Sequence, residues 1–296
     1  MEYRNLGHSD LKVSRISLGC VTFGREINQQ ESYAIMDYAL EKGMNYFDTA
    51  EAYGEGASEL VIGSWMKERN TRPKIYLGTK ILPPYSPDKI IKSCENSLER
   101  MQISEIDLYQ LHAFHETALR PDVLYAFNKL IKDGKIRHLG ISNFSPDQLR
   151  DFLKLQRDLG LNQICSLQNN HNLAIQNLNT EALDFCRQKG IGSISFSPLG
   201  AGFLTGKYKN SIPKDARFNL QPGHQDLYFN QDGAMALEKL EAAALETNIS
   251  MVELALAWVL NNPEITTTLV GGRRISHIDQ AFTAKNVAYW KSNSSL

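Results

Sequence analysis

The stretch NYFDTAEAYG, residues 45–54, begins like a buried β-strand and then changes character. Asn45, Tyr46 and Phe47 lead into the carboxylate of Asp48, and Tyr53 follows five residues later among small and flexible residues. The pattern predicts a strand that ends on an acid, followed by a loop that displays a phenol. Whether this pair belongs to a reactive site depends on what the neighbouring strands place beside it.

Short β-type runs of the same kind recur along the chain and alternate with segments of helical apolar spacing. The eight runs are ISLGC, MNYFDTA, KIYLGTK, IDLYQLH, IRHLGIS, CSLQNN, GSISFSP and TTTLVGG. Two of the helical stripes are formed by Ile35, Met36, Ala39 and Leu40, and by Val123, Phe127, Leu130 and Ile131. Eight strands, each followed by a helix, predict an α/β fold of the (β/α)8 TIM barrel type. An open doubly wound sheet is the alternative, but GCVTFG, GEGASE and GAGFLT do not complete its GxGxxG fingerprint.

Two segments lie outside this alternation. YRNLGHSDLKVSR, residues 3–15, alternates around a Gly-His-Ser-Asp turn and predicts an N-terminal β-hairpin. Residues 200–232 are rich in Gly, Asn, Gln, Pro and Lys without clear periodicity, which predicts a functional loop or disorder. We expect residues 1–296 to form a single barrel domain.

Composition narrows the class of protein. Hydrophobic residues make up 42% of the chain and charged residues 22%, and the formal net charge is −1. These values are typical of a globular protein, and they argue against nucleic-acid or membrane partners, which need clustered basic charge. The four cysteines are far apart without a CxxC pair, which predicts reduced thiols, and the N-terminus has no targeting pattern. We expect a cytoplasmic protein.

Barrel enzymes place their reacting groups at the C-terminal ends of the strands and in the loops just after them. Those ends give Asp48 and Tyr53 after the second run, Lys80 ending the third, and His112 ending the fourth. Each residue alone has an ordinary structural explanation as a turn acid, a rim charge or a packing residue. Their joint arrival from three neighbouring strands predicts a reactive site.

This set of groups suits proton delivery to a carbonyl oxygen while hydride arrives from elsewhere. Tyr53 is the predicted general acid, because a nearby ammonium such as Lys80 lowers the pKa of a phenol, by roughly 1–3 units for a close opposite charge. Asp48 would hold Lys80 and keep it charged. His112 would hydrogen-bond the substrate oxygen and orient it.

Two other chemistries use the same residues. Lys80 could form a Schiff base, as in a lyase or aldolase, although a carboxylate partner would keep its amine charged. A metal hydrolase built on Asp48, His112 and His115 is less favoured, because the lysine would repel the ion, and we predict no metal site.

The motifs together resemble the aldo-keto reductase family over nearly the whole chain. They are LGCVTFG, NYFDTAEAYG, YLGTK, DLYQLH, IRHLGISNFSPDQL, SFSPLGAGFLTGKY and GGRR, in that order. The resemblance is greatest to the bacterial-type branch near the potassium-channel β subunits and the inositol-associated reductases. It implies a barrel reductase that uses NADPH, sometimes NADH, with a catalytic tetrad of Asp48, Tyr53, Lys80 and His112.

The resemblance also implies residues for the nicotinamide half of the cofactor. Ser142 and Asn143, with Gln168 on the next strand, would hydrogen-bond the carboxamide. Phe196 takes the place of the Tyr or Trp that commonly stacks on the nicotinamide ring, and stacking needs only an aromatic face.

For the phosphates, the resemblance implies a covering loop and a cation. The loop runs from Ser197 through Leu199 to Lys207, and Lys207 is a possible charge partner of the pyrophosphate. Arg273 matches the arginine that meets the 2′-phosphate, with Arg274 beside it as the alternative, and this favours NADPH over NADH. The chain departs from the family at His277, where Gln is common, and at Ala281, where Asn is common.

The substrate is predicted only by class, as a carbonyl compound or a sugar or polyol. Ala113 stands where an aromatic residue often follows the catalytic histidine, and Phe23 is a second candidate for the pocket wall. A nicotinamide-binding regulatory module with little turnover is the alternative to an active reductase. The sequence makes no prediction of the oligomeric state.

Overall fold

A computed structural model describes residues 1–209, 211–213, 217–220 and 223–288 of the protein. The chain opens with an antiparallel hairpin of β1 (Tyr3–Asn5) and β2 (Lys12–Ser14). Leu6, Leu11 and Val13 of this hairpin are fully buried against residues of the barrel interior such as Tyr46 and Leu108. The predicted N-terminal hairpin is confirmed, and it packs against one end of the barrel.

Eight parallel strands then form the barrel. They are β3 (Ile16–Gly19), β4 (Tyr46–Asp48), β5 (Tyr76–Ile81), β6 (Ile106–Leu111), β7 (Ile136–Ser142), β8 (Ser166–Asn172), β10 (Gly192–Phe196) and β11 (Thr267–Val270). Each pairs with the next, β8 pairs with β10, and β11 pairs with β3, so the sheet closes on itself. A short strand, β9 (Ile175–Gln176), folds back antiparallel onto the end of β8. The predicted (β/α)8 barrel is confirmed, and each predicted run overlaps one barrel strand.

Helices surround these strands. They are α1 (Gln29–Glu41), α2 (Ala57–Arg69), α3 (Pro87–Met101), α4 (Pro121–Lys132), α5 (Pro146–Asp158), α6 (Thr180–Lys189), α7 (Arg217–Leu220), α8 (Gly223–Tyr228), α9 (Gln231–Thr247), α10 (Met251–Leu260) and α11 (Ile275–Ala284). Capping boxes begin α1, α5 and α10, where an Asn or Ser side chain accepts from the third helical amide. The predicted stripes of α1 and α4 face inward, since Met36 and Phe127 are almost fully buried. No single helix among those described is long and apolar enough to cross a membrane, and α9 with α10 reaches that length only as a pair bent by 107°.

The segment predicted as an aperiodic loop contains more structure than its composition indicates. Its described parts hold a 3₁₀ turn at Gly200–Thr205 and the helices α7 and α8, while residues 210, 214–216 and 221–222 lie outside the described residues. Phe203, Tyr208, Phe218 and Tyr228 bury themselves in a separate apolar cluster with residues of α9 and α10. Aromatic packing at irregular spacing holds these described parts, so no helical period marks them in the sequence.

Candidate functional site

The four residues predicted to react lie at one end of the barrel because three adjacent strands deliver them there. Asp48 is the last residue of β4, Lys80 is the second-last of β5, and His112 directly follows β6. In the sheet, Asp48 lies opposite Gly78 and Lys80 opposite Gln110. Since parallel strands end on the same rim, the three side chains converge there.

Asp48 and Lys80 form a buried ion pair. The Lys80 ammonium donates to Asp48 Oδ2 at 2.5 Å and to the Thr49 carbonyl at 2.7 Å, and the side chains of the pair are 1% and 2% exposed. Burial alone would lower the pKa of Lys80, but the charges of Asp48 and Tyr53 outweigh it and raise the pKa above its ordinary value. Lys80 is therefore a permanent ammonium near neutral pH.

Tyr53 lies on top of this pair. The Lys80 Nζ atom is 3.5 Å from the Tyr53 hydroxyl and 5.0 Å from the centre of its ring. The His112 ring meets the Tyr53 ring edge to face, with centroids 5.8 Å apart. The loop that carries Tyr53 is fixed from below, because Ser58 donates to the Cys20 carbonyl and accepts from Thr49. The structure thus brings all four predicted catalytic residues together.

His112 is held neutral by its surroundings. Burial, with the positive charge of Lys80 as a second cause, lowers the pKa of His112 to about 3. A neutral imidazole keeps one N–H donor and one acceptor nitrogen. Such a group can donate a hydrogen bond to a carbonyl oxygen without contributing a titration between pH 5 and 8.

A cleft of about 1200 Å³ runs from this rim across the ends of the later strands. Lys80 lies beneath its floor, against Asp48 and Tyr53. The other predicted catalytic residues and every predicted cofactor residue line it: Asp48, Tyr53, His112, Ser142, Asn143, Gln168, Phe196, Ser197, Leu199, Lys207, Arg273 and His277. Residues from six strand ends and from the segment after β10 therefore share one cavity.

Side-chain amides lie beside the reactive residues, with Gln168 buried and Asn143 exposed. The Asn143 amide donates to the His112 carbonyl at 2.9 Å and to the Ser142 hydroxyl at 3.1 Å, and the Gln168 amide donates to Asp48 Oδ1 at 2.9 Å. These bonds leave the Ser142 hydroxyl hydrogen and the Gln168 carbonyl oxygen to face a ligand. Asn143 takes a left-handed conformation, with φ of 58°, which Asn tolerates better than most residues.

Cations gather at another part of the same cleft. The His277 Nδ1 atom accepts from the Arg273 amide at 3.2 Å. Burial lowers the pKa of His277, and the charges of Arg274, Arg273 and Lys207 lower it further, so these four side chains are electrostatic neighbours. Arg274 immediately precedes α11, whose N-terminus adds a partial positive charge. This end of the cleft is suited to phosphate.

Neither residue predicted for the pocket wall lines this cleft as the described residues define it. Phe23 is fully buried in the main apolar core, because a turn in which its amide donates to the Cys20 carbonyl directs the ring inward. Ala113 does not line the cleft as the described residues define it; its carbonyl and amide are both bonded to the Tyr85 hydroxyl. Val21 and Thr22 line the cleft beside the position predicted for Phe23.

Sequence reasoning missed other lining residues. Ala281, which stands where the resemblance would place an Asn, is fully buried, whereas Gln280 and Ser276 of the same helix line the cleft. Tyr228 reaches the cleft from α8, and its hydroxyl accepts from the Asn170 amide at 3.0 Å. The helical position of Gln280 could have been read from the spacing after GGRR, whereas no local signal marks Tyr228.

The lining residues fit a dinucleotide. One part of the cleft offers amides and the Phe196 ring, and another offers Arg273, Arg274 and Lys207. An aromatic face suits a nicotinamide ring, and arginine forks suit phosphate groups. Among the described residues, no group of three or more His, Cys, Asp or Glu side chains is placed to hold a metal ion.

Comparison with known proteins agrees with this chemistry. The model of the Aldo/keto reductase family matches residues 15–293. Similar proteins include the "Uncharacterized oxidoreductase YrpG" of Bacillus subtilis, 31% identical over 97% of this chain and 92% of that protein. The "Probable voltage-gated potassium channel subunit beta" of Arabidopsis thaliana is 32% identical over the same shares. The "Probable aldo-keto reductase 1" of Glycine max is 29% identical over 93% of this chain and 82% of that protein.

Proposed function

The chain belongs to the aldo/keto reductase family, and from that premise we propose that it reduces an aldehyde or ketone with NADPH, with Tyr53 as the proton donor. Family membership makes the chain an oxidoreductase of the nicotinamide-dependent carbonyl class. The proposal adds the reduced phosphorylated cofactor, the acid and the positioning groups. The reverse reaction, oxidation of an alcohol or polyol, uses the same groups.

The observation that carries the proposal is the contact between Tyr53 and a buried, permanently charged Lys80. When bound, the cofactor supplies hydride to the carbonyl carbon. The Tyr53 hydroxyl gives its proton to the carbonyl oxygen and becomes a phenolate, which the ammonium 3.5 Å away stabilises. Asp48 keeps Lys80 protonated and fixed. Solvent returns the proton to Tyr53 before the next turnover.

His112 has a different task in this scheme. Its pKa of about 3 leaves it neutral at any working pH, so it cannot compete with Tyr53 as the acid. It donates a hydrogen bond to the carbonyl oxygen, orients the oxygen toward Tyr53, and lowers the barrier where negative charge develops.

The residues around the nicotinamide fix its orientation. The Gln168 amide nitrogen is bonded to Asp48, so its carbonyl oxygen is the group left to accept from the carboxamide NH₂. The Ser142 hydroxyl, which accepts from Asn143, is left to donate to the carboxamide oxygen. Phe196 offers a ring face for stacking. Together these residues would hold the nicotinamide of a bound cofactor beside Tyr53 and His112.

Preference for NADPH over NADH rests on the cationic end of the cleft. Arg273, Arg274 and Lys207 lie near His277 there, and a 2′-phosphate would bring a negative charge to these cations. The raised pKa of Lys80 argues against the Schiff-base alternative, which needs an unprotonated amine.

The test is a spectrophotometric screen of cofactor oxidation at 340 nm across aldehydes, ketoses and simple ketones, with polyols and NADP⁺ for the reverse direction. Each substrate is run with NADPH and with NADH. We expect turnover with a subset of carbonyl compounds and a lower KM for NADPH. Tight NADPH binding without turnover on any compound would favour a nicotinamide-binding module, and failure to bind either cofactor would overturn the proposal.

A further inference from the structure

The Asp48 carboxylate is surrounded by more hydrogen-bond donors than the Lys80 pair requires. One oxygen, Oδ2, takes the Lys80 ammonium at 2.5 Å. The other, Oδ1, accepts from the Tyr46 hydroxyl at 3.1 Å, the Gln110 amide at 3.2 Å and the Gln168 amide at 2.9 Å. Three neutral donors therefore converge on the oxygen that faces away from Lys80.

Two of these donors cannot reach a ligand. Tyr46 and Gln110 are fully buried, and neither lines the cleft as the described residues define it. Gln168 does line it and belongs to the cofactor residues already proposed. The hydrogen bonds to Asp48 are therefore what links Tyr46 and Gln110 to the reacting groups.

The barrel wall is shaped to admit both side chains. A Cβ atom at Gly78, on the neighbouring strand, would lie 2.3 Å from the Tyr46 hydroxyl oxygen. A Cβ atom at Gly140 would lie 3.1 Å from Cγ of Gln110. The first distance is shorter than Cβ contacts in real proteins, so the glycine at position 78 leaves the space that the Tyr46 hydroxyl occupies, whereas the second is a tight contact.

A buried carboxylate needs hydrogen-bond donors in place of water. The placement of these donors on Asp48 Oδ1 also has an electrostatic consequence. Donors on Oδ1 replace lost water and fix the rotation of the carboxylate, so that Oδ2 meets Lys80. They also draw negative charge toward Oδ1 and away from Lys80. The ammonium is then less completely neutralised, and more of its field reaches the Tyr53 hydroxyl.

We infer that Tyr46 and Gln110 are positioning residues of the proposed reductase, which hold Asp48 so that Lys80 acts on Tyr53. The inference rests on the proposed function of Tyr53. Burial first, and the charge of Asp48 second, raise the pKa of Tyr46 well above its ordinary value, so it stays a protonated donor. Among the described residues, the other titratable groups that interact with Asp48, Lys80 or Tyr46 are Tyr53, His112, Cys20 and Cys165.

The experiment compares Tyr46→Phe with a matched control, Tyr109→Phe. Tyr109 is also fully buried, but its hydroxyl has no hydrogen-bond partner in the described part of the chain. Both variants lose one buried hydroxyl and keep the ring. Gln110→Met, which removes the second donor and also a carbonyl oxygen without a partner among the described residues, is the independent variant if Tyr46→Phe does not fold.

Turnover and its pH dependence are measured for all variants with the best substrate of the screen. For Tyr46→Phe we expect kcat to fall about tenfold, the factor for one hydrogen bond to a charged group. The KM for the carbonyl and the Kd for NADPH should stay unchanged, because Tyr46 touches neither. The apparent pKa of the kcat profile should rise by roughly 0.5–1 unit, a fraction of what a neighbouring charge supplies.

Tyr109→Phe should match the wild type in kcat and in the pH profile. Equal behaviour of Tyr46→Phe and Tyr109→Phe, or a loss of kcat without a shift of the pH profile, would overturn the inference. If Tyr46→Phe is not folded, an unshifted profile in Gln110→Met overturns it instead. A wild-type protein that binds NADPH without turnover, or a fully active Tyr53→Phe, would be a failure of the proposed function and is distinguishable from these outcomes.

Discussion

Asp48 and Lys80 differ in the number of hydrogen-bond partners that each has outside their ion pair. This difference can be measured through the free energy of unfolding of variants that lack one member of the pair. Without Lys80, Asp48 still accepts from Tyr46, Gln110 and Gln168. Without the Asp48 carboxylate, the acceptors that Lys80 keeps among the described residues are the Thr49 carbonyl at 2.7 Å and the Tyr53 hydroxyl at 3.5 Å. Substitution of Asp48 should therefore lower the free energy of unfolding more than substitution of Lys80.

Asp48→Asn places an amide against a buried ammonium, and breaking such a pair costs about 3–5 kcal/mol of unfolding free energy. Lys80→Met leaves a carboxylate with three donors, and we expect a cost lower by about 2 kcal/mol, the worth of one to two hydrogen bonds to a charged group. The double variant should be more stable than the sum of the single costs implies, by about 2 kcal/mol.

The pH dependence of the stability of the Asp48→Asn variant provides a second test. In that variant burial should depress the pKa of Lys80 below the ordinary value of 10.5. The unfolded chain then binds more protons, so stability should rise with pH above 7, by at most about 1.4 kcal/mol per unit. In the wild type the pKa of Lys80 is raised, and no such rise is expected.

Urea denaturation of the wild type, the two single variants and the double variant at pH 7 and 9 measures all of these quantities. Equal costs for Asp48→Asn and Lys80→Met, within about 0.5 kcal/mol, would refute the assignment of three compensating donors to Asp48. Simple additivity in the double variant would refute the ion pair itself.

Two further predictions concern other parts of the molecule. His171 is 2% exposed, its ring lies tilted against Trp258 with centroids 4.9 Å apart, and neither ring nitrogen has a hydrogen-bond partner among the described residues. Burial lowers the pKa of His171 to about 4, so the folded state loses stability as pH falls from 6.5 toward 4. Between pH 7 and pH 5 the His171→Phe variant should lose about 2 kcal/mol less unfolding free energy than the wild type. An equal loss in both proteins, measured by urea denaturation, would contradict this prediction. Arg273→Gln should raise the KM for NADPH about tenfold and leave the KM for NADH unchanged. A parallel rise for both cofactors would instead place Arg273 on a part that they share.

The barrel was predictable because each strand has a recognisable local sequence pattern. A parallel strand buried on both faces is a short apolar run, and the eight runs alternate with helical stripes such as that of Ile35, Met36 and Ala39. The same strand predictions placed Asp48, Lys80 and His112 at the ends of strands, and therefore at the rim of the barrel. That residues 1–296 form one domain and that the protein is cytoplasmic stay predictions.

The features that could not be predicted from the sequence depend on contacts between segments that are distant along the chain. Phe23 was misplaced because a loop residue's direction is set by its turn, here the bond from its amide to the Cys20 carbonyl. Tyr228 lies in a segment without helical period, and packing on Phe203 and Phe218 together with a hydrogen bond from Asn170 brings it to the cleft. The bonds of Tyr46 and Gln110 to Asp48 cross the barrel interior, and no spacing along one strand reveals them.

The central claim is that the Tyr53 hydroxyl transfers the proton and does not hold the cofactor. Tyr53→Phe keeps the ring that meets His112 and removes only the oxygen beside Lys80. Single-turnover oxidation of bound NADPH by a carbonyl substrate, measured beside the Kd for NADPH, separates these roles. We expect a rate at least a hundredfold below the wild type with an unchanged Kd, in line with the usual contribution of general acid catalysis. A variant that reduces the substrate at the wild-type rate would contradict the account.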